Sequence, residues 1–187
     1  LTDDFAVYVD SRNNGALTDD EMDRFLKPFA ETVDDERKLF GNESDVDGDG
    51  RFAILISQAV NELGASGGTG PAGGGMLTGY FYGGDLYDSS VYAGSNEMEV
   101  FYMMAPDPDG EYGVPLSTKF YLSNIALSVL PHEFQHMISY NRHVFENDGF
   151  AEESWLNEGL SHLAEDIYGN ADGYMEKTGI EIPSRVN

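Results

Sequence analysis

The chain has no cysteine among its 187 residues. Disulfides and thiolate metal sites are therefore excluded, and any metal must be held by nitrogen and oxygen. Basic residues are scarce: 10 lysines and arginines stand against 34 aspartates and glutamates, a formal charge of −24. The summed field of such a chain repels polyanions, which excludes nucleic acid and anionic membrane surfaces as partners. Long apolar runs are also missing. The longest are under ten residues, well short of the roughly 20 that a membrane-spanning helix needs, so no membrane span is expected. No glycine-rich phosphate loop stands between a strand and a helix, which removes the usual nucleotide-binding signatures.

What is present suits a folded domain. Hydrophobic residues make up 41% of the chain, enough for a real core. The expectation is a single domain over 1–187, with a sheet-bearing lobe over about 1–118 and a helical part over about 119–187. The chain opens at Leu1 rather than Met, as a mature or excised chain would, and Glu181 to Asn187 do not read as a finished helical end.

Periodicity supplies the elements. Phe5 to Val9 reads as a strand. Thr18 with Glu21 forms a capping box, and Met22, Phe25, Leu26, Phe29, Val33 and Phe40 follow at helical spacing, with Pro28 requiring a kink or two consecutive helices. The apolar run from Arg51 to Ser57 predicts a buried strand, and Leu63 to Gly75, with seven glycines and a proline, predicts a mobile loop. Two more strands are expected over 78–82 and 97–104. Helical pattern resumes near Ser123 and continues through Tyr140. Because Pro131 cannot donate to the Leu127 carbonyl, the spacing predicts either a kink there or a helix beginning at Pro131. The order predicts an α+β fold, a twisted mixed β-sheet backed by helices.

The densest chemical signal is His132-Glu133-Phe134-Gln135-His136. Positions i and i+4 share one helical face, so both imidazoles can reach one metal ion. Glu133 lies beside them, where its carboxylate can hold a water without being a ligand. This is the H-E-x-x-H pattern of zinc hydrolases. A catalytic zinc needs a third protein ligand and an open position. Glu158 is the candidate, separated from His136 by twenty-one residues, on a second helix that returns antiparallel and packs through Leu156, Leu160, Leu163, Ala164 and Ile167. The competing reading of Glu158 is a solvated surface carboxylate. Glu165, two turns further on, can accept the second ring N–H of a zinc-binding histidine, or be a plain surface charge. Candidates for stabilising an oxyanion are His162 and Tyr168, with Tyr140 and Tyr174 behind them, and His143 reads as an ordinary surface residue.

Leu130-Pro-His-Glu-Phe-Gln-His-Met-Ile followed by Trp155-Leu-Asn-Glu-Gly-Leu-Ser resembles the gluzincin zinc metallopeptidases, and is most similar to their hyicolysin-type branch. The match covers about residues 120 to 168. It departs in a longer gap between His136 and Glu158 than the aminopeptidases of the group have, and in Pro131. The resemblance implies a zincin-like fold with an exposed edge strand around Thr78 to Tyr82. It also implies Zn²⁺ on His132, His136 and Glu158, Glu133 as general base, and endopeptidase action on a peptide or protein substrate. The setting it implies is secreted, cell-surface or periplasmic, in a bacterium. Peptide deformylases, which share part of the motif, use a cysteine that this chain lacks. Two alternatives stay open: a zincin-fold binding or adhesion module that retains a metal, and an exopeptidase, of which Ser95-Asn-Glu97-Met98-Glu99 is a superficial echo.

Asp45-Val-Asp47-Gly-Asp49-Gly50 resembles the first half of an EF-hand loop, but position twelve is Ile56 rather than glutamate. Asp45, Asp47 and Asp49 are candidate Ca²⁺ ligands if a distant acid completes the shell. Otherwise they form an Asp/Gly turn.

Overall fold

In a computed structural model, residues 3–13, 15–66 and 76–169 are described. Tyr174, the stretch 67–75 of the expected glycine-rich loop and the segment 181–187 lie outside them. The elements in chain order are β1 (Phe5–Val9), α1 (Asp19–Ala30), α2 (Val33–Phe40), β2 (Phe52–Ile56), α3 (Gln58–Ser66), β3 (Gly79–Phe81), β4 (Val100–Met103), α4 (Thr118–Asn124), α5 (Ala126–Tyr140) and α6 (Ser154–Tyr168), joined by short 3₁₀ and π turns.

The four strands form one mixed sheet in the order β1-β2-β4-β3. β1, β2 and β4 run parallel, and β3 closes the edge antiparallel to β4, with Tyr80 opposite Tyr102. A central parallel strand is covered on both faces, and β2 shows this: Phe52, Ala53, Ile54 and Ile56 are all buried. The result is a mixed α/β arrangement compatible with a zincin-like plan.

Local chemistry explains the helix starts. Thr18 Oγ1 accepts from the Glu21 amide, and Glu21 Oε2 accepts from the Thr18 amide at 2.9 Å, a reciprocal cap. Pro28 stands inside α1, which ends two residues later, so the pattern becomes two helices. α3 was not expected. It takes Leu63 to Ser66 from the anticipated loop, and Asn61 anchors it by exchanging hydrogen bonds with the Ala105 backbone. The helix expected from Ser123 is also divided, because α4 ends at Asn124 and α5 starts afresh at Ala126.

Helix α5 does not begin at Pro131; it carries the proline inside. The Leu127 carbonyl, freed of its usual donor, meets Gly169 at the end of α6. A Cβ on Gly169 would lie 3.0 Å from that oxygen and 2.9 Å from the Glu165 carbonyl. Glycine is thus what allows α6 to end against the proline turn.

The core between sheet and helices is aromatic. Phe134 of α5 stacks on Phe52 at 4.5 Å and meets Phe29 edge-on at 6.0 Å, while Phe5, Phe29 and Phe101 extend the cluster. One polar group interrupts this packing. Glu36 of α2 has no exposure, and neither carboxylate oxygen has a hydrogen-bond partner among the described residues. Burial first, and the charge of Glu43 second, hold its pKa well above the usual carboxylate value.

A buried acid whose folded pKa is raised keeps its proton while the unfolded chain loses it. Its effect is absent below the unfolded value of 4.5, and stability falls as pH climbs from there toward the folded pKa. Glu36→Gln is therefore expected to raise the melting temperature at neutral pH and to flatten its decline between pH 5 and 8 relative to wild type. Parallel melting-versus-pH curves for the two proteins would contradict this.

Candidate metal centre

α5 presents His132 and His136 toward α6, and Glu133 toward β3. His132, earlier on α5, meets Glu165, later on α6, and His136 meets Ser161, so the two helices run antiparallel. The seam between them is polar: Asn157, Ser161 and Glu165 lie at i, i+4 and i+8 on the inward side of α6. This corrects the expected apolar face. Ala164 is buried, and Leu156 and Leu160 are half-buried, but Leu163 and Ile167 are 45% and 46% exposed. The inward positions are taken by side chains that hold the histidines.

Each histidine is fixed by its Nδ1. His132 Nδ1 lies 2.6 Å from Glu165 Oε1, so it carries the proton and donates. His136 Nδ1 lies 3.0 Å from Ser161 Oγ, whose own proton goes to Gln135 Oε1 at 2.5 Å. The ring therefore donates here too. Both Nε2 atoms are then left as lone pairs, 3.1 Å apart. Two lone pairs at that distance repel unless a cation lies between them. Burial and neighbouring His132 also lower the pKa of His136, which opposes a proton in that role.

Glu158 completes the group. Its Oε2 is 3.5 Å from His132 Nε2, and its Oε1 is 3.7 Å from His136 Nε2. Donors about 2.1 Å from a tetrahedral ion lie about 3.4 Å from one another. The donor set and its spacing therefore fit a zinc ion. A second grouping, His132, His162 and Glu165, fits less well. Its contacts of 2.6 and 2.8 Å are hydrogen bonds, too short for two ligands of one metal. Glu165 accepts from both rings.

The group opens on a cleft of about 640 Å³ bounded by Gly79, Tyr80 and Phe81 of β3, by α5 and by α6. Glu133 lies in its wall, 4% exposed, with Oε2 buried and without a hydrogen-bond partner among the described residues. Burial first, then the charges of Glu158 and Glu165, push its pKa up to about 8, against an opposing hydrogen bond from the Phe81 backbone. A cation among these carboxylates would offset the repulsive part. His162 and Tyr140 also line the cleft, and Tyr140 Oη lies 3.2 Å from Tyr87 Oη. Tyr168 is not brought there. It sits at the far end of α6, within the field of Glu36, Asp35 and Lys38 of α2, so the expected role for it is withdrawn. His143 pairs with Glu152 at 2.7 Å. Sequence reading missed Ser161 and Gln135. The available signal for Ser161 was its spacing of three from Glu158 and four from Glu165, which places it on the same helical stripe.

No family model matches the chain. The chain is 30% identical over 171 residues to the neutral metalloprotease ShpI of Staphylococcus hyicus, a stretch covering 90% of this chain and 33% of that protein. The similar protein is named a metalloprotease. This chain spans about one third of its length. Among the described residues no helix is long and apolar enough to cross a membrane.

β3 approaches the Glu133 carboxylate closely because residue 79 has no side chain. A Cβ there would meet Val129 Cγ1 at 2.6 Å, the Tyr102 carbonyl at 2.9 Å and Glu133 Oε1 at 3.0 Å. Gly79→Ala is expected to force β3 away from α5 and to destabilise the fold by about 1–3 kcal/mol. Chemical denaturation measures this, and an unchanged midpoint would contradict the close approach.

Proposed function

We propose that the chain is a zinc-dependent endopeptidase domain, with His132, His136 and Glu158 as metal ligands. The observation that carries this reading is the pair of histidine lone pairs, 3.1 Å apart, converging with Glu158 at the mouth of an open cleft. The similarity to a metalloprotease supports it. A zinc ion on these donors supplies Lewis acidity for an attacking water and for the scissile carbonyl.

The chain's own residues supply the rest. Glu133, whose buried Oε2 has no hydrogen-bond partner among the described residues, accepts the water's proton as attack proceeds and passes it to the departing amine. Glu165 and Ser161 hold the two rings in the tautomer that leaves Nε2 free. His162, held by Glu165 through Nδ1, lines the cleft, where its other ring nitrogen can face the developing oxyanion. β3 is the terminal strand of the sheet beside the cleft, and an extended peptide can pair with it through main-chain hydrogen bonds.

Zinc content separates this reading from a metal-free one. The wild-type chain is expected to retain zinc through dialysis at neutral pH, and His136→Ala to lose it, as read by atomic absorption. Full zinc occupancy in the variant would overturn the ligand assignment.

Glu133→Gln tests catalysis apart from metal binding. The substitution keeps shape and removes the proton acceptor, so a folded, zinc-loaded protein should cleave a denatured protein about 10²–10⁴-fold more slowly. Equal cleavage by both proteins would assign the activity elsewhere. A zinc-loaded wild type that cleaves no peptide would instead favour a metal-retaining binding module.

A further inference from the structure

The aspartate loop before β2 gains a partner that its sequence neighbourhood does not supply. Ala53 of β2 pairs with Val100 of β4, and the Ala53 amide donates to the Glu99 carbonyl at 2.6 Å. This register sets Glu99, the residue before β4, beside the Asp45–Gly50 loop, where carboxylate oxygens of Asp45, Asp47 and Glu99 all lie within 4.8 Å of one another. Asp49 is outside this group and turns its Oδ1 to the Arg51 amide.

Glu99 distinguishes the cluster from a solvated acidic turn. The residue is 1% exposed. Its Oε1 accepts from Ser44 Oγ at 2.6 Å and from the Val46 amide at 2.8 Å, while its Oε2 is shielded from solvent and has no hydrogen-bond partner among the described residues. A shielded carboxylate oxygen without a donor is costly unless a cation meets it. Among the described residues no lysine, arginine or histidine forms an ion pair with Asp45, Asp47 or Glu99. Asp45 Oδ1 accepts from the Gly50 amide and Asp47 Oδ1 from the Asp49 amide, and among the described residues the two Oδ2 atoms have no hydrogen-bond donor. Burial first, with the nearby charge of Asp47 contributing, raises the Glu99 pKa, as expected for acids gathered without their counter-ion.

We propose that Asp45, Asp47 and Glu99 form a calcium site that joins the loop before β2 to the start of β4. Two carboxylates on a turn and a third from the start of β4 match the hard, oxygen-seeking and geometrically tolerant Ca²⁺ rather than Mg²⁺, which demands an octahedron and keeps its waters. Glu99 takes the part that the loop's own twelfth position, Ile56, cannot play.

The test uses the full chain, washed with chelator and titrated with calcium alone or magnesium alone, followed by calorimetry and thermal melting. Wild type is expected to bind calcium one-to-one, and its melting temperature to rise by about 5 °C at saturation. Glu99→Gln is expected to weaken calcium binding at least tenfold and to abolish the rise. Asp47→Asn, at an exposed position, should do the same and decides the matter if the Glu99 variant fails to fold. No calcium-induced rise in wild type, an undiminished rise in the Asp47 variant, or an equal response to magnesium would each overturn the proposal. None of these readouts depends on peptide cleavage, so failure here is distinct from failure of the peptidase reading.

Discussion

The hydrogen bond between His132 Nδ1 and Glu165 Oε1, 2.6 Å long and largely shielded from water, fixes which nitrogen of His132 is free. Everything at the site follows from that choice. With the proton on Nδ1, Nε2 must face the cleft as a lone pair, and Ser161 imposes the same choice on His136. Both partners come from α6, so α6 must lie close along α5, and its inward side must be polar where a helix of this length would usually bury leucines. Glu158 comes from the same helix, three and seven residues before Ser161 and Glu165, so docking brings ligand and supports together.

Legibility in the sequence followed the range of the interactions involved. The His132–His136 pair, the Thr18 cap, the strands at Phe5–Val9 and Phe52–Ile56 and the break after Pro28 are local, and spacing of a few residues reveals them. Glu165 was legible for the same reason, as a helical repeat of Glu158. The packed side of α6 was not, because hydrophobicity alone points to Leu163 and Ile167, and nothing local says that histidine support outranks apolar burial there. Tyr168 misled through its spacing, since it ends on the α2 side of the helix. Glu99 was invisible as a neighbour of the aspartate loop until the β2–β4 register was known, a pairing some fifty residues apart in sequence. α3 was obscured by Gly64 within it and by the glycines that follow it in sequence.

The charge imbalance places unusual demands on the few cations present. Arg37 alone pairs with Asp4, Asp34 and Glu43, and its guanidinium lies 5.9 Å from the Phe134 ring centroid. It thus ties the approach to β1 and helix α2 to the underside of the histidine-bearing helix. Arg12 does similar work for Asp10, whose carboxyl it holds down at about 2, and reaches Glu62 on α3. Where no arginine reaches, carboxylates are left close together, as at the cleft and beside Glu99.

Pro131 removes one amide from α5 a single residue before His132, and the carbonyl it strands is covered by the last turn of α6 at Gly169. The amino-terminal turns of α5 therefore lack the ladder rung that would let them hold their shape unaided, while the carboxy-terminal turn of α6 ends against the same spot. Neither end can loosen without uncovering the other. The two helices should exchange their amide hydrogens as one cooperative unit, and the histidine tautomers persist for as long as that unit stays closed.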